Sequence, residues 1–327
     1  MKKIILSVCL MLTLLCGCQR QTDYLKPYNI VSTDRNAAAA SVLPADTFER
    51  FAQELGIVSM DESSSGLGAD AMSGVDASEI FLTGTTDAQV IAAHHIYDQM
   101  PPASITKILT ALTALRSGID FDTEFTLTDD VVIDIYDAQV CGYVPGDVVS
   151  LRTLFYSMLI YSGNDAANAV ASAVSGGDMA AFCEEMNRIA SELGATHTHF
   201  VTPNGLDDPD HYTTAYDLYL IFNECLKYDE FRDAIAQSGY TGTYTHNGET
   251  VSKTWDSTNY YLLGKRTPPE GVIVVGGKTG TTDKAGLCLI LYVEDSAGKG
   301  YISVLLGCPD KDTLYESMSN LLANIGN

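Results

Sequence analysis

Pro102-Ala103-Ser104-Ile105-Thr106-Lys107-Ile108-Leu109-Thr110-Ala111-Leu112-Thr113-Ala114-Leu115 is the stretch on which the reading of this chain turns. Ile108, Leu112 and Leu115 recur at helical spacing, and Leu109 and Ala111 widen the apolar stripe. Pro ahead of the run and Gly118 behind it suit a helix start and a helix stop. The spacing predicts a largely buried helix with Ser104 in its first turn. Side chains three residues apart share a helix face, so Ser104 and Lys107 meet. A serine hydroxyl is a poor nucleophile until a base removes its proton. Lys107 can act as that base only when neutral, so burial or a neighbouring cation must lower an amine whose ordinary pKa is about 10.4. The Ser104 backbone N–H, without an intrahelical partner in a first turn, can donate to an oxyanion.

Two further pieces carry similar chemistry. Ser162-Gly163-Asn164 falls between an apolar helix expected over Leu151 to Ile160 and another over Asp165 to Val174. A loop there can aim a hydroxyl and an amide into a cleft, the hydroxyl relaying a proton from Lys107. Read alone, the tripeptide is a turn with a helix cap. Lys278-Thr279-Gly280 follows the β-branched run Val272 to Val275. A strand edge ending in a cation and a hydroxyl suits a carboxylate, and its glycines allow close approach to the backbone. A phosphate-binding loop is excluded, because it needs four residues before Gly-Lys-Thr whereas Gly271 and Gly277 enclose five.

Outward from these pieces, Glu79 to Thr83 and Val90 to Ala93 read as two strands. The region from Leu127 to Leu226 reads as mostly helical, with helices over Ala180 to Leu193 and Thr214 to Lys227. Ala285 to Val293 and Tyr301 to Leu306 are apolar strands around a turn at Asp295 to Gly300, and Leu314 to Ile325 is a closing helix. Strands at both ends with helices between predict one antiparallel sheet built from the two ends of the domain, an α+β fold with a helical insertion.

The chain has 327 residues, 46% hydrophobic and 19% charged, enough for a sizeable core and unlike a low-complexity chain. With 42 acidic against 19 basic residues, net −23, nucleic acid is excluded as a partner, since phosphate contacts need Lys and Arg. Lys2 and Lys3 precede an apolar run from Ile4 to Leu15, too short to span a bilayer and suited to a secretory signal. Leu15-Cys16-Gly17-Cys18 resembles a lipobox. Residues 1–17 are thus expected as a lipoprotein signal peptide, Cys18 as the lipidated N-terminus and 18–71 as a spacer containing one helix over Thr47 to Leu55. The catalytic domain is expected over 72–327. Lipid at Cys18 would hold the domain at the outer face of the cytoplasmic membrane, or in the periplasm. Cys141, Cys183, Cys225, Cys288 and Cys308 show no CxxC spacing and read as small buried apolar residues. His197 and His199 alternate as strand ligands would, but no third ligand is suitably spaced, so no metal site is assigned. Trp255, Tyr260 and Tyr261 read as packing residues.

Ser-x-x-Lys, Ser-x-Asn and Lys-Thr-Gly in this order resemble the signature of the penicillin-recognising serine hydrolases. Pro102 to Lys107, Ser162 to Ala167, Thr202-Pro203-Asn204-Gly205-Leu206, His211 to Asp217 and Gly277 to Thr282 resemble the low-molecular-mass penicillin-binding proteins, the serine-type D-alanyl-D-alanine carboxypeptidases. The resemblance implies a transpeptidase fold of the penicillin-binding-protein and β-lactamase type, with helices flanking the sheet, and needs no cofactor. It implies that Ser104 attacks the peptide bond between two D-alanines of a peptidoglycan stem peptide, with Lys107 as base and Ser162 passing the proton on. Asn164 would orient substrate, Lys278 and Thr279 would hold its carboxylate, and the N–H groups of Ser104 and Thr281 would stabilise the oxyanion. β-Lactams would acylate Ser104 and stall. An endopeptidase with the same site, or an idle wall-binding lipoprotein, are the alternatives. The Glu-x-x-Leu-Asn segment of class A β-lactamases is missing between Asn164 and Lys278. Asp256-Ser257-Thr258-Asn259 stands where the family more usually has Asn-Thr-Asn, a change expected to matter little. The family often adds a C-terminal β-rich domain and amphipathic anchor, a place that the N-terminal lipid would take here.

Overall fold

A computed structural model describes residues 69–87 and 89–326. The signal peptide, Cys18, nearly all of the spacer and the helix over Thr47 to Leu55 lie outside the described residues. Five antiparallel strands form the main sheet: β1 (Glu79–Gly84), β2 (Val90–His94), β7 (Val272–Thr282), β8 (Gly286–Asp295) and β9 (Gly300–Cys308), in the order β2-β1-β9-β8-β7. The first and last strands of the domain pair directly, Glu79 opposite Leu306 through Gly84 opposite Tyr301. The sheet therefore does join the two ends of the domain.

Both faces of this sheet are covered, which explains why β1 is buried at every position. Successive side chains point to opposite faces. Phe81, Ile290, Ile302 and Val304 enter the larger core with the central helices. Ile80, Leu82, Leu289, Leu291 and Leu305 enter a second core beneath the C-terminal helix α7 (Lys311–Leu322), against Leu314, Met318 and Leu321. Each such side chain withdrawn from water contributes roughly 1.5–3 kcal/mol.

The larger core is organised by α1 (Lys107–Arg116), whose residues Lys107 to Ala114 are all buried. Around it stand α2 (Leu151–Ile160), α3 (Asn164–Ser175), α4 (Met179–Glu192) and α5 (Ala215–Cys225), followed by the short α6 (Asp229–Ile235). Polar side chains fix the starts of three of them: Ser150, Asp178 and Thr214 accept from the backbone N–H of Thr153, Ala181 and Asp217. All five described cysteines are buried and unpaired. No helix among the described residues is long and apolar enough to cross a membrane.

Three expectations need correction. The strands form two sheets, because β3 (Glu124–Thr126), β4 (Val148–Ser150), β5 (Gly239–His246) and β6 (Glu249–Asp256) make a second, four-stranded sheet in that order. The region from Leu127 to Leu226 is α-helical only from Leu151 onward, with one short 3-10 turn over Asp129–Val131 before it. Its first part carries Gly142, Pro145 and Gly146 and is held as loop by side chains described below. The helix expected over Thr214 to Lys227 ends at Cys225, and α6 follows it separately.

Glu79 ties the sheet to α5. It is 1% exposed, and its Oε2 accepts the Ala215 N–H at 2.6 Å, while Oε1 has no partner among the described residues. Burial pushes this carboxyl up to about 9 from an ordinary 4.5. Between those values the folded state binds a proton that the unfolded chain has lost, so this residue makes stability fall as pH rises. Glu79→Gln removes the titration. The stability of the variant relative to wild type, from denaturant titrations, should rise by about 2–3 kcal/mol between pH 5 and 7. Parallel profiles would mean that Glu79 is already ionised.

Candidate active site

The nucleophile's backbone is bent before the helix begins. Ala103 takes φ +48°, in the left-handed region, and Ala103–Thr106 form a 3-10 turn ahead of α1. Ser104 is half-buried at this turn, and one turn on Lys107 is fully buried. Lys107 Nζ lies 2.8 Å from Ser104 Oγ, 2.8 Å from Asn164 Oδ1 and 2.6 Å from the Asn204 carbonyl oxygen. Both amide oxygens only accept, so they take two N–H groups of a neutral amine. In that neutral form the remaining direction, the lone pair, faces Ser104, the one partner of the three with a proton to give.

The surroundings favour the neutral amine. Burial, helped by the nearby Lys278 cation, holds the Lys107 amine well below the ordinary lysine range. Lys278 is 1% exposed in β7, and burial lowers it to about 7. Its Nζ donates to Ser162 Oγ at 2.7 Å and to the Thr279 carbonyl at 2.9 Å.

Ser162 and Asn164 occupy the break between α2 and α3, as the sequence indicated. Ser162 has φ +69°, a strained setting for a residue with a side chain, and Gly163 permits the close packing beside it. A Cβ on Gly163 would meet Cys141 Sγ at 2.3 Å. Asp165, 1% exposed, accepts from the backbone N–H of Cys141, Gly142 and Tyr143 at 2.7, 2.7 and 3.0 Å. From the other side, Lys253 Nζ and Trp255 Nε1 donate to the Cys141 carbonyl at 2.6 and 3.2 Å. These bonds satisfy the loop's backbone groups without a helix and press it onto the Ser162–Asn164 turn, where Gln139 accepts the Asn164 N–H at 2.8 Å.

β7 is an edge strand, and the Lys278–Gly280 triplet lies within it, since the strand continues to Thr282 beyond the stretch read from the sequence. It runs close to the nucleophile: a Cβ on Gly280 would stand 3.1 Å from the Pro102 oxygen and from Ile105 Cγ1. Thr279 Oγ1 shares a 2.6 Å hydrogen bond with Thr258 Oγ1. Thr281 lies two residues further, exposed, its hydroxyl donating to the Gly280 oxygen at 2.8 Å.

The fold thus brings Ser104, Lys107 and Asn164 into one hydrogen-bonded cluster and Ser162 with Lys278 into another beside it. Two contributors escaped the sequence reading. Asn204 acts through its carbonyl, which residue identity cannot reveal. Thr258, in the Asp256 to Asn259 segment to which the sequence reading gave no role, bonds Thr279. Trp255 packs, as expected, parallel to Tyr240 at 6.4 Å between centroids. Among the described residues no cluster of His, Cys, Asp and Glu could hold a metal ion.

Two serines, each bonded to a buried lysine, lie where the edge strand of an antiparallel sheet meets a helical region, and this fold is shared with solved DD-peptidases. A Streptomyces DD-transpeptidase crystal structure superposes with a TM-score of 0.70 at 25% identity, covering 76% of this chain and 97% of that one. A Mycobacterium tuberculosis D-alanyl-D-alanine carboxypeptidase structure superposes at 0.67 and 27%, covering 76% and 90%. The D-alanyl-D-alanine carboxypeptidase family model matches residues 68–310, and the chain belongs to that family. It is 36% identical over 203 residues to a D-alanyl-D-alanine carboxypeptidase of Mycobacterium tuberculosis, covering 60% of this chain and 63% of that protein. It is 34% identical over 200 residues to one of Bacillus subtilis, covering 59% and 47%. The chain therefore matches about half to two-thirds of the length of these curated relatives.

Proposed function

We propose that this chain is an extracytoplasmic serine-type D-alanyl-D-alanine carboxypeptidase that removes the terminal D-alanine from peptidoglycan stem peptides. The observation that carries the reading is the Lys107 environment: a fully buried amine, held well below the ordinary lysine range by burial and bonded to Ser104, Asn164 and the Asn204 carbonyl. Lys107 takes the Ser104 proton as Oγ bonds to the carbonyl carbon. The backbone N–H groups of Ser104 and Thr281 stabilise the oxyanion. The proton taken by Lys107 then passes through Ser162 to the departing D-alanine nitrogen, the C–N bond breaks, and Lys107 is left neutral again. Water, losing a proton to the neutral Lys107, then bonds to the acyl carbon, and that proton returns to Ser104 Oγ as the ester C–O bond breaks. Asn164 orients the peptide, while Lys278 and Thr279, the latter steadied by Thr258, hold the terminal carboxylate. A β-lactam enters the same path and stalls at the acyl-enzyme.

The deciding assay incubates purified protein with a pentapeptide ending in D-Ala-D-Ala and with a fluorescent penicillin. Released D-alanine and covalent label together support the reading. Label without D-alanine favours a penicillin-binding role, and rapid penicillin hydrolysis a lactamase. Lys278→Ala should weaken capture of substrates with a free carboxylate by about 10- to 100-fold, and of their amides far less, as expected for loss of a charge-assisted contact. Equal losses would remove Lys278 from carboxylate recognition.

The same reading places the enzyme on the membrane through lipid on Cys18, after removal of residues 1–17, with 18–71 as spacer and 72–327 as catalytic domain. Cys18→Ser should move the protein into the soluble fraction; continued membrane association would refute lipidation there.

A further inference from the structure

His211 opens the stretch His211-Tyr212-Thr213-Thr214-Ala215-Tyr216-Asp217, and nothing above gives it a task. It is 2% exposed, its ring edge-on to Phe200 at 5.2 Å. Nδ1 accepts from the backbone N–H of Val201 at 3.1 Å and, at 3.4 Å, of Thr202. A nitrogen that accepts amide protons carries none, so a neutral ring has its proton on Nε2. Burial lowers His211 to about 4, opposed by Asp208 and Asp207 and aided by His199 and Lys107, so the ring is neutral at ordinary pH.

Nε2–H then donates to Thr106 Oγ1 at 2.8 Å, and the Thr106 hydroxyl donates to the Ala103 carbonyl, also at 2.8 Å. The directions are forced. A carbonyl only accepts, which commits the single hydroxyl proton to Ala103 and leaves the Thr106 lone pair for His211. The backbone of Gly205 presses on the same carbonyl: a Cβ there would stand 2.0 Å from the Ala103 oxygen, and φ is +84°. Ala103 is itself in the left-handed region. Its carbonyl and the Ser104 N–H belong to one planar peptide unit and point in opposite directions. Whatever holds the carbonyl also aims the N–H.

We infer that His211 is a positioning residue of the oxyanion hole: acting through Thr106, it fixes the Ala103–Ser104 peptide plane and directs the Ser104 N–H at the developing oxyanion. The inference rests on the proposed acylation of Ser104.

Thr106→Val keeps the side-chain shape and removes the hydroxyl, whereas Thr106→Ser retains it. Acylation by a fluorescent penicillin should slow about 10- to 100-fold in Thr106→Val, less than the loss of an oxyanion donor outright. Thr106→Ser should recover to within about threefold, and the affinity of the initial complex should stay within about twofold, since the hole acts on the transition state. His211→Gln can place an amide donor near Nε2, whereas His211→Asn reaches only the Nδ1 region, so Gln should retain the faster rate. His211→Asn combined with Thr106→Val should be no slower than the slower single variant. Nitrogen NMR of wild-type protein should show the Nε2–H tautomer. A folded Thr106→Val that acylates at the wild-type rate, multiplying losses, or an Nδ1–H tautomer would each overturn the inference while a labelled wild type leaves the proposed function standing. A wild type that neither takes label nor releases D-alanine removes both.

Discussion

Ser104→Ala should abolish covalent labelling by penicillin and lower D-alanine release by about 10,000-fold or more, the scale on which removal of a nucleophile acts. The fold should survive. The hydroxyl is half-buried, its bond to Lys107 is worth roughly 1 kcal/mol, and the left-handed turn before it is made by Ala103 and Thr106. Intact-protein mass spectrometry after penicillin treatment and a thermal melt separate the two effects. Label persisting on the variant would show that another residue is acylated.

Lys107→Met should be nearly as damaging, by about 1,000-fold in acylation, from loss of the general base. Methionine fills the buried space but leaves Asn164 Oδ1 and the Asn204 carbonyl without their shared donor, at about 1–3 kcal/mol for each acceptor stranded. The pH profile is the sharper readout. In the wild type, acid protonates Lys107 and the rate falls about tenfold per pH unit below its depressed pKa, while above about 7 Lys278 loses the charge that holds a carboxylate. The methionine variant should lose the acid limb and keep the alkaline one. An acid limb that persists would assign the base to a different group.

Much of the site was legible because it is made of side chains in short, chemically pointed motifs. Ser104 and Lys107 are three residues apart on a turn that leads into an apolar helix, so their meeting follows from local geometry alone. Helix α2 matched its expected span, since an apolar run after Ser150 leaves little choice. What the sequence hid was of two kinds. Leu127 to Ser150 was expected among the helices, but its backbone is held by Asp165, Lys253 and Trp255, partners distant in the chain. Backbone contributors such as the Asn204 carbonyl leave no trace in residue type. The hairpin of β5 and β6 is different, because its signal was present and unused. Tyr240, Tyr244 and Val251 lie among threonines on two runs joined at Asn247-Gly248, both with positive φ, the strongest short hairpin mark.

The lysine environment also bears on the chain's life before it folds. An exposed Lys107 in an extended polypeptide keeps its full charge and cannot deprotonate anything nearby. Ser104 is then an ordinary alcohol, indifferent to the amide bonds and β-lactams it meets. Reactivity arises only when the sheet, formed from opposite ends of the domain, closes and strips water from the amine, so arming the enzyme and completing its tertiary structure are one event.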